Sequence, residues 1–468
     1  MNRTKIICTA GPPIYSEAKI EALVKNEMSV IRFNCSHGDL KTRTQFLKKV
    51  RRVEKKLGKP IGVMLDLQGP KLRTGDLPEP FDLKPGEVWQ LSYGVKADKI
   101  KKIIPVGFKG LSRSIKKGDE IFIADGVIHT KVIKKNLNRV FIKIIHGNRL
   151  DSRKGLNIPY YKGPLKVLSA KDKQDLKWGV EHAVDFVALS FIRTPHDIRY
   201  LQKEIQTLKP KSMPLIIAKI EKPEAVQNIE EITILSDGIL IARGDLGVEM
   251  RQEQVPVIQK RVIDLCRYHR TPVIVATQML DSMRLFPTPT RAEVSDVASA
   301  IYAGTDAVML TGETSAGKYP IKAVAVMNRI IKQVENHMIE KTFRKVPEDF
   351  GVMSFRRAFA FNVVQMADDV KARAIVVLNR RGEMTKRISK IHPKQPVYSL
   401  ALNKTTYRQL SLYWGVFPLN MKAKKTSERI TRGIEILKTK RVVKTGDRLV
   451  FFYRDFDSDH LNMKIVEV

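Results

Sequence analysis

The sequence predicts an α/β fold: a (β/α)8 barrel with an inserted small β-barrel lid domain and a C-terminal α/β domain. Three observations carry the prediction. Eight short runs of Val, Ile and Leu recur, most of them followed by a helix-like stretch. Polar and charged residues stand at the C-terminal ends of these runs. The texture changes at about Lys71 and again after about Asn336.

The runs cover residues 5–9, 29–33, 61–66, 186–190, 215–220, 238–242, 272–276 and 307–310. Runs apolar on both faces are parallel strands covered by helices. Eight of them suit a barrel whose chemistry lies at the C-terminal strand ends. Those ends carry Arg32 and Asn34, Asp66, Ser190, Lys219 with Glu221, Arg243 with Asp245, Thr277, and Thr311 with Glu313. The barrel is therefore expected over residues 1–70 and 166–338.

Residues 71–165 read differently. Short alternating strands, such as 120–123 and 140–144, are broken by Pro85-Gly86, Lys117-Gly118 and Asp125-Gly126. That is a small β domain set into a barrel loop, placed to act as a lid. Residues 339–468 restart an α/β pattern: a helix-like 355–367, then AIVVLN (374–379), PVYSLAL (396–402) and RLVFFYR (448–454).

A chain of 468 residues suits three domains at roughly 150 residues each. With 43% hydrophobic and 28% charged residues, the composition is that of a soluble globular protein. No apolar run approaches the ~20 residues of a membrane helix. The N-terminus enters a strand-like run at once, unlike a secretory signal. Cys8, Cys35 and Cys266 are far apart and unpatterned, which argues against a disulfide framework or a zinc ribbon and for a reducing cytoplasm. The net charge of +35 reads as a solvated surface or as attraction for anionic substrates. Nucleic acid is not an expected partner, because no aromatic-interleaved basic stripe or nucleic-acid motif is present.

The densest chemistry lies in IIAKIE (216–221) and ARGDLG (242–247). Two successive apolar runs end in Lys219 with Glu221 and in Arg243 with Asp245. Two carboxylates and a cation on neighbouring strand ends suit a divalent metal beside an anionic substrate. GETSAGKY (312–319) nearly spells a P-loop, but Tyr319 stands where the metal-binding Ser or Thr is required.

These motifs join TKIICTAGP (4–12), IRFNCSHG (31–38), DLQGPKLRTG (66–75), ARGDLGVE (242–249), ATQMLDSM (276–283), PTRAEVSDVA (289–298) and VMLTGETSAGKYP (308–320). Together they resemble the pyruvate kinase family, across essentially the whole chain. The resemblance implies phosphoryl transfer from phosphoenolpyruvate to ADP, giving pyruvate and ATP, in a cytoplasmic homotetramer. A lyase acting on oxoacids on a related barrel would need no nucleotide-clamping lid.

Carried over residue by residue, the resemblance makes Glu221 and Asp245 the ligands of Mg²⁺ or Mn²⁺. Lys219 then neutralises the transferring phosphoryl and the enolate, and Arg32 contacts the phosphoryl group. Arg243, Gly244 and Asp245 bind substrate, with backbone N–H groups at Gly244 and Asp245 facing its carboxylate. Thr277 orients substrate and relays a proton. Thr311 and Glu313 join that water relay or form a plain loop pair. Asn34, His37, Arg73, Asp125 and Lys154 meet the nucleotide.

A K⁺ site would use Asn34, Ser36, Asp66 and the carbonyl of Leu67. K⁺-requiring members have a glutamate where this chain has Lys71, so the resemblance implies that the Lys71 ammonium replaces K⁺. Two loops depart from regulated members: NRRGEMTK (379–386) has arginines for hydroxyls, and DFDSDH (455–460) replaces a Gly-rich loop. Activation by fructose 1,6-bisphosphate is therefore not expected. Arg380, Arg381 and Gly382 could hold another phosphate or form a solvated turn.

Overall fold

Parallel strands Lys5–Thr9, Met28–Asn34, Gly62–Leu67, Phe186–Leu189, Leu215–Ile220, Gly238–Ala242, Val273–Ala276 and Ala307–Leu310 close into one barrel. Closure is made between the first and last strands, with Ile6 opposite Val308. The computed structural model describes residues 2–159, 161, 163, 165–341, 354–379, 381–421, 426–454 and 460–468.

The two faces of each strand serve different layers, because side chains alternate along a strand. Ile6 and Cys8 pack outward under the helices, whereas Ile7 points into the barrel with Met64, Phe186, Ile217 and Ile274. That inner cluster continues without a break into Val377, Tyr413 and Phe452 of the C-terminal domain. The lower end of the barrel is thus sealed by a second domain, and the catalytic end is left free.

Local signals set the helix starts. Ser169 and Asp172 form a reciprocal capping box before the helix Ala170–Glu181, and Thr290 with Glu293 does the same before Arg291–Tyr302. Each box satisfies backbone donors that a helix start leaves free.

The inserted domain is a half-barrel. Its six-stranded sheet runs in the order Leu156–Asn157, Glu120–Ile123, Ile128–Lys135, Arg139–His146, Val88–Tyr93 and Ile103–Val106. A two-stranded ribbon, Phe81–Asp82 with Arg149–Leu150, stands beside it.

The C-terminal sheet has five strands, in the order Val416–Asn420, Val397–Ala401, Ala374–Asn379, Arg448–Arg454 and Leu461–Glu467. The sequence pattern singled out only the middle three. The two edge strands are not apolar runs: Val416–Asn420 carries Pro418, and Leu461–Glu467 mixes half-buried and exposed residues and includes Asn462, Lys464 and Glu467. Among the described residues, no helix is long and apolar enough to cross a membrane. The expectations for Arg380 and for residues 455–459 lie outside the described residues.

Candidate active site

Arg32, Asp66 and Lys219 come from strands two, three and five and meet as one buried network. Arg32 donates from Nε to Asp66 Oδ2 at 2.6 Å and from Nη1 to Thr9 Oγ1 at 3.1 Å. Lys219 Nζ lies 3.3 Å from the other Asp66 oxygen, 2.8 Å from Glu221 Oε1, and donates to Ser190 Oγ at 2.7 Å. Burial would raise the Asp66 carboxyl, but Lys219 and Arg32 outweigh it and hold it below the usual carboxylate range. Burial also works against the charge on Lys219, yet Asp66 and Glu221 push its pKa above the ordinary lysine value. The ammonium is therefore fixed as a cation.

Glu221 completes this corner. Its Oε2 accepts from the Phe191 backbone N–H at 2.7 Å. Burial raises its carboxyl pKa, and Asp245 adds to the rise, against the pull of Lys219. Asp245 sits in the first turn of the helix Arg243–Glu249, directly after strand six.

Arg243 is engaged on several sides. It pairs with Asp296 at 2.6 Å and donates to the carbonyl of Thr277 at 2.8 Å and that of Gln278 at 3.1 Å. In this conformation it braces the end of strand seven. That end needs bracing, because Thr277 and Gln278 have φ of 70° and 53°, in the left-handed region that side chains disfavour. The strained turn aims Thr277 Oγ1 at Gly244, whose N–H donates to it at 2.7 Å. The Gly244 N–H expected to face a substrate carboxylate is thus occupied by Thr277.

Thr311 and Glu313, directly after the last barrel strand, are hydrogen-bonded to each other. Glu313 is fully buried; its Oε2 accepts from the Thr311 N–H at 2.7 Å and its Oε1 from the Leu280 N–H at 3.0 Å.

Two domain families match the sequence: "Pyruvate kinase, barrel domain" over residues 1–324 and "Pyruvate kinase, alpha/beta domain" over residues 357–466. The pyruvate kinase of Thermotoga maritima is 37% identical over 452 residues, covering 96% of this chain and 96% of that protein. That of Clostridium acetobutylicum is 35% identical, covering 96% and 95%. A crystal structure of a pyruvate kinase from Cryptosporidium parvum superposes with a TM-score of 0.92 at 32% identity, over 100% of this chain and 96% of that one. The chain belongs to the pyruvate kinase family.

A pyruvate kinase depends on a divalent metal, and the residues present fit one. Glu221 Oε1 is buried and lacks a hydrogen-bond donor in good geometry, although Lys219 Nζ stands 2.8 Å away. Such an oxygen suits a hard cation. Among the described residues, no cluster of three or more His, Cys, Asp or Glu could hold a metal. An ion on Glu221 and Asp245 would take its other ligands from substrate and water.

The lid side is more open. Lys71 Nζ pairs with Asp125 at 3.0 Å and approaches Asp245 Oδ1 at 3.7 Å. It forms no ion pair with Asp66 among the described residues. Arg73 donates to the Arg153 carbonyl at 3.1 Å, and Lys154 approaches Asp151 at 3.7 Å. His37 is exposed, and its N–H donates to the Asn34 carbonyl at 3.2 Å. Of the K⁺ candidates, Asn34 Oδ1 accepts from the Ser36 N–H at 3.1 Å, and the Leu67 carbonyl accepts from Ser190 at 2.8 Å.

Sequence reasoning assigned no role to three contributors: Thr9 under Arg32, Ser190 under Lys219 and Asp296 under Arg243. Ser190 had a signal, its place at a strand end. Thr9 had the same signal, as the last residue of the first strand, and Asp296 lay within a motif, but which partners they hold is decided only on barrel closure.

Proposed function

We propose that this chain transfers the phosphoryl group of phosphoenolpyruvate to ADP and protonates the resulting enolate to pyruvate. The observation that carries the reading is the buried cation Lys219, held 3.3 Å from Asp66 and 2.8 Å from Glu221 at the mouth of the barrel. Phosphoryl transfer asks for positioned charge more than for covalent help, and a fixed ammonium in a dry pocket supplies it.

Arg32, held from below by Asp66 and Thr9, presents its guanidinium to the phosphoryl oxygens. Lys219 balances the charge that passes from the phosphoryl to the enolate oxygen. When bound by Glu221 and Asp245, Mg²⁺ (or Mn²⁺) supplies further charge neutralisation at substrate oxygens. Thr277 orients the substrate, with Gly244 and Arg243 fixing its turn, and passes the proton from water. Thr311 and Glu313 shape that wall. Asn34, His37, Arg73, Asp125 and Lys154 line the side where the lid meets the nucleotide.

The charge of Lys71 makes the reaction independent of K⁺, with Asn34, Ser36, Asp66 and Leu67 retained as the vestige of a monovalent site. What supports this is the family resemblance, in which K⁺-requiring members carry a glutamate at the position of Lys71; here its ammonium faces Asp125 and Asp245. The enzyme works in the cytoplasm as a homotetramer, as its family resemblance implies.

A coupled assay of pyruvate formation from phosphoenolpyruvate and ADP tests the reading, with Lys219→Met as the control. Wild-type turnover no faster than that variant would refute it.

A further inference from the structure

Beneath the joint between lid and barrel lies a buried contact that the roles above leave unused. Asn157, in the last lid strand, donates from Nδ2 to Glu249 Oε1 at 2.9 Å. Lys222 Nζ donates to the same oxygen at 2.6 Å. All three residues are buried, Glu249 to 1% exposure and Asn157 to 2%.

Their positions along the chain matter more than their burial. Lys222 follows Glu221 directly, and Glu249 ends the short helix whose first turn holds Asp245. One lid side chain is therefore tied, through one carboxylate, to the backbone segments that place both candidate metal ligands. The lid end of the contact is stiff: Leu156 N–H donates to the Leu72 carbonyl at 2.9 Å, and Arg73 bridges Gly155 across the two hinge segments. The cavity among Lys71, Asn157, Phe191, Lys222 and Glu249 measures only 20 Å³. A joint packed this closely passes displacement on rather than absorbing it.

We propose that Glu249 is a positioning residue that couples the seating of the lid to the placement of Glu221 and Asp245, with Asn157 as the lid's contact and Lys222 as the counter-ion. Moving the lid away removes the Asn157 bond and leaves Glu249 held from one side only. The helix Arg243–Glu249 then keeps only the Lys222 contact as its anchor at the end opposite Asp245. This inference rests on the reading of Glu221 and Asp245 as metal ligands.

Hydrogen exchange and Mn²⁺ binding on the full chain test it. Asn157→Leu keeps the heavy-atom count and the branch at Cγ and removes the bond, so it remains informative if Glu249→Gln, which strands a buried ammonium, fails to fold. The expected result for Asn157→Leu is at least tenfold faster exchange in residues 243–250. Mn²⁺ affinity should fall by up to about tenfold, the lower end of the loss seen when a direct partner of a metal ligand is removed, and KM should rise more than kcat falls. Lys222→Arg should retain wild-type exchange. Unchanged exchange in 243–250 with unchanged Mn²⁺ affinity overturns the proposal, as does faster exchange confined to the hinge. Glu221→Gln is the separate control: if it leaves Mn²⁺ affinity intact, the metal-site reading fails, and the exchange result still decides the coupling.

Discussion

Lys71 Nζ stands 3.7 Å from Asp245 Oδ1 and 3.0 Å from Asp125 Oδ1. One ammonium from the start of the inserted segment therefore faces a lid carboxylate and a candidate metal carboxylate together. Asp125 is 72% exposed at its side chain, so its ion pair adds little stability, about 0–1 kcal/mol. The value of Lys71 lies in where it places charge.

That placement gives a test with salts alone. Wild-type activity should be equal, within about twofold, in K⁺, Na⁺ and tetramethylammonium buffers of matched ionic strength. Lys71→Glu sets a third carboxylate beside Asp245 and Asp125 and should make the rate at least tenfold higher in K⁺ than in tetramethylammonium. A large loss of wild-type activity without K⁺ would sink the idea.

Lys219→Met removes the cation shared by Asp66 and Glu221. Losing one preorganised charge of this kind costs about 10²–10³ in kcat, so a fall of that size or larger is expected in single-turnover kinetics. The substitution also leaves two buried carboxylates with less compensation, so a lower unfolding midpoint should accompany it.

Asp185 supplies a pH test away from the site. Burial pushes its carboxyl from 3.8 up to about 6, against the opposing charges of Arg51 and Arg408. The folded state thus holds this proton more tightly than the unfolded one. Its contribution to stability is full below pH 3.8 and is lost as pH rises through about 6. The difference is worth about 3 kcal/mol. Asp185→Asn removes the titration and keeps an acceptor for the Val63 N–H, which donates to Asp185 at 2.8 Å. Wild-type stability, measured against that variant by urea midpoints, should decline between pH 4 and 6.5. A flat difference would contradict the assignment.

Asp306 directly precedes the last barrel strand and forms a buried ion pair with Lys390 of the C-terminal domain, the two side chains being 0% and 3% exposed. Asp306→Asn strands the ammonium and should destabilise the chain by about 3–5 kcal/mol. Combining Asp306→Asn with Lys390→Met should recover most of that loss, since no buried charge then remains and the Val273 N–H, which donates to Asp306 at 2.8 Å, keeps an acceptor. Denaturant unfolding of the single and double variants checks both statements.

Much of the barrel was legible because a buried parallel strand has a strong local signature. Residues 5–9, 215–220, 238–242 and 307–310 are apolar on both faces, and the strands found there have those bounds. The edge strands of the C-terminal sheet were not legible. Pro418 interrupts one, and Asn462, Lys464 and Glu467 interrupt the other, so neither shows an unbroken apolar run. The candidate site divides in the same way. Lys219, Glu221, Arg32 and Asp66 stand at strand ends and could be picked out one by one. Arg243 could be picked out too, but not its engagement by Asp296, which lies 53 residues further along the chain.

The sequence by itself determined where the barrel strands form, which of their ends carry charge and which family the motifs resemble. Each of these rests on residues near one another in the chain, where alternation and motif spacing act directly. Tertiary structure alone decided who faces whom: Lys219 over Asp66, Asn157 on Glu249 at a separation of 92 residues, and Lys390 on Asp306 at a separation of 84. Such pairs depend on barrel closure and domain packing. A buried charge must find a partner, but local pattern does not say which one.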